Sequence, residues 1–483
     1  MQKPALAALL QAPFVMTIDG TSVSSPKTSG VINPATEEVI AQCPDATEAQ
    51  LDAAVRGARE AFASWSRTSF EQRRRVMRSM ADRIAAEARE LGGLITAEQG
   101  KPLATAITEC ETMGPGSLRG FSAMELPSEV LIDDDARRVE LHRRPLGVVG
   151  AIVAWNYPVH TALQKIAPAI YAGNTVIMKP SPFTPLATLR MMERLRDLMP
   201  PGVVQTLSGG DEMGRWISEH PGIDKISFTG STPTGRRIMA SSAESLKHLT
   251  LELGGNDAGI VLPDADVEAA APMIAQSAFN NCGQVCHALK RLFVHRSQYA
   301  EMCEALVRAV SDMPVGDGMQ ESTRVGPLAN RMQFELICRL VGEARERGAR
   351  ILCGGEALDG PGYFYPPTIV ADVEEGTALV DEEQFGPALP VLSYGTVDEA
   401  VGRANASDKG LSGSVWTADI EEGARVAARL ECGTAWINQH SSQPTANHVS
   451  IPFGGFKASG VGRERGLLGL LAYTQTQVIN LRK

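Results

Sequence analysis

Between residues 147 and 255 one pattern repeats. A short apolar run is followed each time by a helical stretch: "GVVGAIVAW" by "PVHTALQKIAPAIYAG", "NTVIMKP" by "TPLATLRMMERLRDLM", "GVVQTLSG" by "DEMGRWISEH", and "DKISFTG" by "STPTGRRIMASSA". A further run, "LTLELGG", closes the series. Strands alternating with helices across short joints predict a parallel sheet covered by helices on both faces. Ligands of such sheets sit beyond the carboxyl ends of the strands.

Beyond the Gly254-Gly255 pair the alternation resumes with "DAGIVL", a helix through Phe279 and "RLFVH". A second α/β unit is therefore expected over residues 254–450. The first is read over residues 1–124 and 146–253, as a Rossmann-like unit, which the family resemblance given below makes the nucleotide-binding domain. Its early part is helical: "TEAQLDAAVRGAREAFASW" repeats apolar residues three and four apart behind a Thr cap. Residues 137–145, "RRVELHRRP", alternate basic and apolar side chains and predict an exposed or edge strand, suited to pairing with another subunit. Residues 125–145 and 451–483 stand apart as a small β element and C-terminal tail, which the family resemblance given below makes an oligomerisation element. A length of 483 residues fits several domains.

Composition excludes several function classes. Charged residues make up 21% with a net charge of −10, and no Lys/Arg run offers a nucleic-acid footprint. No apolar run is long enough to span a bilayer, and the start, "MQKPALAALLQAPF", lacks the long apolar stretch of a signal peptide. Eight scattered cysteines fit a reducing, cytoplasmic setting.

Two of those cysteines lie four apart in "FNNCGQVCHALKR". A disulfide requires close Cα atoms, and a metal site requires further ligands nearby, which the sequence does not offer. Inert packing remains open for both. Cys286 gains from its company. Glu252 ends a strand before a double glycine, Asn156 follows another strand in "AWNYP", and Lys179 ends "NTVIMKP". Taken singly, these read equally as an ion-pairing carboxylate, a turn before Pro158 and a solvated amine. "FTGSTPTG" and "SGGDEMG" bring Gly230, Ser231, Gly235, Gly210 and Gly214 to helix starts, where N–H groups can face a phosphate. Neither is a dinucleotide fingerprint.

Together, "AWNYP", "MKPSPFTP", "FTGSTPTG", "LELGGND", "FNNCGQVC", "EEQFGP" and "PFGGFKASGVGRERG" resemble the aldehyde dehydrogenase superfamily, in its order and near its spacing. The resemblance runs from "VINPATEEVIAQCPDAT" to "AYTQTQVINL". It implies oxidation of an aldehyde to a carboxylic acid through a thioester on Cys286. Cys282 falls on a neighbouring, non-catalytic position. Glu252 falls on the general base and Asn156 on the oxyanion donor, with Lys179 in both the catalytic and the cofactor set. Trp155, Ser231, Gln333, Glu383 and Phe385 fall on cofactor contacts, with Ser181, Phe228 and Leu253 beside them. Pro182 stands where many relatives carry a ribose-binding glutamate. NAD is the expected nucleotide and NADP the alternative. Tyr157, Gln164, His287, His440 and Phe453 are expected to line the aldehyde pocket. For His440 and His448, a solvated loop position competes with contact to a polar or anionic aldehyde. The loop "QHSSQPTANHVSIPF" is longer than is usual in the family. No metal is expected, and a homodimer or homotetramer is implied. A coenzyme A-acylating relative and a non-catalytic nucleotide-binding scaffold are the competing readings. Glu252 argues against the first, and the presence of Cys286, Glu252 and Asn156 against the second.

Overall fold

A computed structural model describes residues 3–441 and 448–483. The runs read as buried strands are such. Val148–Ile152 and Thr175–Lys179 are buried at every position, as strands covered on both faces must be. Five strands run parallel in the order Val204–Thr206, Thr175–Lys179, Val148–Ile152, Lys225–Thr229, His248–Glu252. The chain winds outward from Val148–Ile152 in one direction and returns to its other side at Lys225–Thr229. These two neighbours flank the switch point of a doubly wound sheet. Antiparallel strands Met16–Ile18 and Thr21–Val23 extend one edge, and Gly460–Val461 the other.

The second sheet begins at Asp257, just past Gly254-Gly255. Its order is Arg350–Cys353, Thr368–Ala371, Ala388–Tyr394, Leu289–His295, Asp257–Val261, Ser412–Trp416, Thr434–Ile437. All neighbours are parallel except the first pair. Successive side chains feed opposite faces: Leu292 and Val294 enter one apolar core and Phe293 the other. Among the described residues no helix is long and apolar enough to cross a membrane.

Residues 137–145 form the expected strand, but not at an edge. Arg137–Pro145 is the middle strand of a three-stranded antiparallel sheet, between Glu129–Asp133 and Thr474–Arg482. Its charged alternation resembles an edge because the sheet itself is exposed. The free edges are the two outer strands, which present Val130, Leu131, Val478 and Leu481 to solvent. The segment 451–483 is also divided rather than wholly a tail. Gly460–Val461 joins the first sheet, and Leu470 and Tyr473 enter its core.

Candidate active site

The carboxyl ends of the first sheet face segments that lead into the amino ends of the second. Asn156, Lys179, Gly230 and Glu252 lie at or just past strand ends of the first sheet. Gly254, Cys286, Glu383 and Phe385 precede Asp257, Leu289 and Ala388 of the second. The strand-end rule therefore holds for the first sheet only. One continuous cavity of about 1760 Å³ runs between them.

That cavity gathers nearly every site residue named from the sequence. Cys286, Glu252, Asn156 and Lys179 line it, as do Trp155, Ser181, Gly210, Gly214, Phe228, Gly230, Ser231, Leu253, Gln333, Glu383 and Phe385. So do Tyr157, Gln164, His287, His440 and Phe453. Gly235 does not. It lies against Leu253, where an added Cβ would come within 2.6 Å of Cδ2. Its smallness serves helix-to-strand packing.

The loop carrying Cys286 is held in an unusual backbone. Asn281, Cys282 and Gly283 have φ of 51°, 59° and 71°, three successive left-handed residues. A Cβ at Gly283 would strike the Gly386 carbonyl. Cys282 points into the core of the second unit, and all eight cysteines are free thiols. Cys286 instead reaches the cavity, half-buried. Lys290 Nζ donates to the carbonyls of Val285 at 3.0 Å and Cys286 at 2.5 Å. Burial pushes the Cys286 thiol up to about 12, against the pull of Lys290. It is a protonated thiol at neutral pH.

Asn156 Nδ2 donates to the Gln284 carbonyl at 2.9 Å, which ties it to the same loop. A primary amide carries two hydrogens, so one donor remains for another acceptor. The Asn156 backbone is fixed by a buried ion pair absent from the sequence reading. Lys101 Nζ donates to the Asn156 carbonyl and to Glu109 Oε2, both at 2.7 Å, and lies 3.5 Å from the centre of the Tyr157 ring. Glu109 Oε1 accepts from the Val159 and His160 amides at the start of helix Pro158–Ala172. A carboxylate there is favoured by the helix dipole. Glu109 opens a π-helical turn, Glu109–Met113, whose Thr112 and Met113 line the cavity.

Glu252 is buried, and neither carboxylate oxygen has a hydrogen-bond partner among the described residues. Burial and the neighbouring Glu464 raise its pKa well above the ordinary range, opposed by Lys165, Arg465 and Arg463. Glu464 is itself ion-paired with Lys165. Gly454 gives Glu252 room, since a Cβ there would lie 2.8 Å from Oε1.

On the far side the cavity suits an anionic, hydroxyl-rich ligand. The helix Thr232–Ser242, capped by Ser231, opens into it, with Thr234, Arg237 and Ser241 along the exposed side. Lys179 is buried and, among the described residues, has no acidic partner within hydrogen-bond reach; its Nζ reaches the Pro180 carbonyl at 3.3 Å. Burial lowers it to about 8. Glu383 Oε1 accepts from the Gly255 amide at 3.1 Å and lies 3.5 Å from Lys290 Nζ. Trp155 and Phe385 meet edge-on at 5.2 Å, and Gln333 Nε2 donates to the Gln384 carbonyl at 2.6 Å. Arg215 and Arg237 line this side too.

His440 is a correction. It is buried rather than solvated, with its ring nitrogens on Ser414 Oγ at 3.0 Å and the His287 carbonyl at 3.1 Å. It braces the segment that follows Cys286. His448 is exposed and not among the lining residues, and residues 442–447 of the long loop lie outside those described.

Fold and cavity define a two-sheet, doubly wound protein with a thiol and a carboxyl at the inner end of a nucleotide-sized cleft. Residues 21–479 match the model of the aldehyde dehydrogenase family. The chain belongs to that family. It is 37% identical over 472 residues to aldehyde dehydrogenase LUC3 of a Fusarium species, covering 97% of this chain and 99% of that one. It is 37% identical over 485 residues to a betaine aldehyde dehydrogenase of Rhizobium etli, covering 99% and 97%. The NAD+ complex of aldehyde dehydrogenase from Bacillus cereus superposes with a TM-score of 0.96 at 36% identity, over 100% of this chain and 99% of that one.

Proposed function

We propose that Cys286 is the nucleophile, Glu252 the general base and Asn156 an oxyanion donor in NAD(P)-dependent oxidation of an aldehyde to a carboxylic acid. The observation that carries this is the convergence of all three on one cavity, whose other half suits a dinucleotide. Burial keeps the thiol protonated, so a base must take its proton before attack. Cys286 is half-buried, so solvent in the open cleft takes that proton, which leaves the Glu252 carboxylate for the hydrolytic step. The sulfur then adds to the carbonyl carbon, giving a tetrahedral thiohemiacetal. The free Asn156 N–H and the Cys286 amide stabilise its oxygen, each contributing roughly 100-fold in rate. A nicotinamide in the outer cleft supplies a hydride acceptor. Cys286 is left as a thioester, and Glu252 takes a proton from the water that hydrolyses it.

Lys179 and Ser231 would hold the nucleotide's polar groups, Glu383 the ribose, and Trp155 and Phe385 the flank of the cleft. NAD is the favoured nucleotide, with NADP the second candidate. The exposed apolar edges of Glu129–Asp133 and Thr474–Arg482 support a homo-oligomer built on that sheet. Eight free thiols support a cytoplasmic setting. The test is a panel of aldehydes with each nucleotide, read by absorbance of the reduced nicotinamide, with coenzyme A added in parallel. Oxidation to the carboxylic acid without coenzyme A, with reduction of the nucleotide, supports the reading. Acyl-coenzyme A as the product, or no turnover with any pair, overturns it.

A further inference from the structure

One face of the helix Pro158–Ala172 carries two polar side chains that the reaction chemistry above does not use. His160 and Gln164 lie four residues apart, so they share a face, and both line the cavity with Cys286. They are 5% and 9% exposed. The other polar side chains of this helix are already engaged. Thr161 donates to the Tyr157 carbonyl, Lys165 pairs with Glu464, and Tyr171 donates to the Met124 carbonyl. His160 and Gln164 differ. His160 Nδ1 is sealed from solvent and has no hydrogen-bond partner among the described residues, and the Gln164 amide makes no hydrogen bond to any of them. The Met113 carbonyl faces the His160 ring, which still leaves the imidazole one nitrogen to offer a ligand.

A buried polar group without a partner costs about as much as its lost hydration. Water can serve these two side chains while the cavity is open. An aldehyde that enters displaces water from this wall and must either bond the two side chains or strand them. Burial holds His160 neutral, lowered to about 3. A neutral imidazole and a primary amide each combine donor and acceptor. Tyr157 extends the wall: its hydroxyl accepts from Asn280 Nδ2 at 3.4 Å, which leaves its own hydrogen to donate. The charges nearby already face one another, Glu464 with Lys165, and Arg465 with Glu464 and Glu252. The partner that suits such a wall is uncharged and both gives and takes a hydrogen bond. A hydroxyl group does so, whereas an alkyl chain does neither.

Building on the proposed aldehyde oxidation, we propose that His160 and Gln164 select hydroxylated aldehydes, with an uncharged hydroxyl one or two carbons from the carbonyl, over alkyl aldehydes of the same size. Neither residue takes part in the bond changes at Cys286. Both act on which aldehyde fills the chamber.

The experiment compares kcat/KM for matched pairs in which a hydroxyl replaces a methyl, glycolaldehyde with propanal and 3-hydroxypropanal with butanal, counting only the unhydrated aldehyde. The parent is expected to favour the hydroxylated member by about 10- to 100-fold, the effect of leaving a buried polar group unpaired. His160→Leu and Gln164→Met remove the hydrogen-bonding atoms at similar volume. Each should bring the ratio toward one, raising KM for the hydroxylated aldehyde and lowering it for the alkyl one. His160→Gln keeps a donor and an acceptor and should restore part of the preference. A purely structural role would slow both members of a pair alike and leave the ratio unchanged, which overturns the proposal. So would a parent that prefers the alkyl member, a result that needs no variant to fold. Failure to oxidise any aldehyde would sink the proposed function itself, a distinguishable result.

Discussion

Replacing Lys101 by methionine probes how the Asn156 donor is held. Both Lys101 and Glu109 side chains are wholly buried, 2.7 Å apart. Removing one partner of such a pair typically costs about 3–5 kcal/mol, because the other charge stays buried. Glu109 keeps its two amide bonds at the helix start, which favours the lower end. At ~2–4 °C per kcal/mol for a domain of this size, melting should fall by about 6–12 °C. The substitution also frees the Asn156 carbonyl and, with it, the aim of the side-chain donor. The rate of the first turnover should fall by up to ~100-fold, the value of one oxyanion donor. Thermal melting and single-turnover kinetics read the two effects separately. In the double variant Lys101→Met/Glu109→Gln, the charge is gone and an acceptor for the Val159 amide remains. It should regain much of the stability but not the rate. A single variant that melts like the parent and keeps its burst would refute the reasoning, as would a double variant less stable than the single.

Two further outcomes follow from burial at the site. Alkylation of Cys286 by iodoacetamide in the nucleotide-free protein should keep rising with pH well past the usual thiol range, because only the thiolate reacts and burial pushes the thiol up to about 12; a plateau near neutral pH would contradict this. Turnover should show no inflection from His160 or His287 between pH 5 and pH 8, the range in which ordinary imidazoles titrate, since both are lowered to about 3; loss of rate on protonating either ring in that window would count against it. Gly254→Ala should weaken nucleotide binding, measured by fluorescence titration, because the added Cβ would land on the Glu383 carboxylate. Unaltered affinity would remove Glu383 from the nucleotide site.

The sequence made the reacting groups legible and left their supports hidden, for a physical reason. Cys286, Glu252 and Asn156 sit at strand ends and turns, where glycine and proline punctuate short motifs that can be read locally. Lys101 with Glu109 and Lys165 with Glu464 act only as pairs, and folding alone brings the second pair together from opposite ends of the chain. Lys165 did leave a trace, as a single cation inside the apolar helix "TALQKIAPAIYAG". A lysine there has to find an acid, but nothing local says which. Strand Arg137–Pro145 was found, but its place in the sheet was not, because its partner Thr474–Arg482 lies more than 300 residues away. Gly235, beside a phosphate-type turn, packs against Leu253, a contact that no local motif announces.

The central claim is that a covalent acyl group forms on one sulfur. Peptide mass spectrometry of Glu252→Gln, mixed with aldehyde and NAD and quenched, tests it most directly. With hydrolysis slowed, the acyl mass should accumulate on Cys286 and vanish when Cys286→Ala is added. An acyl group on Cys282, or none on either cysteine while aldehyde is still oxidised, would contradict the account.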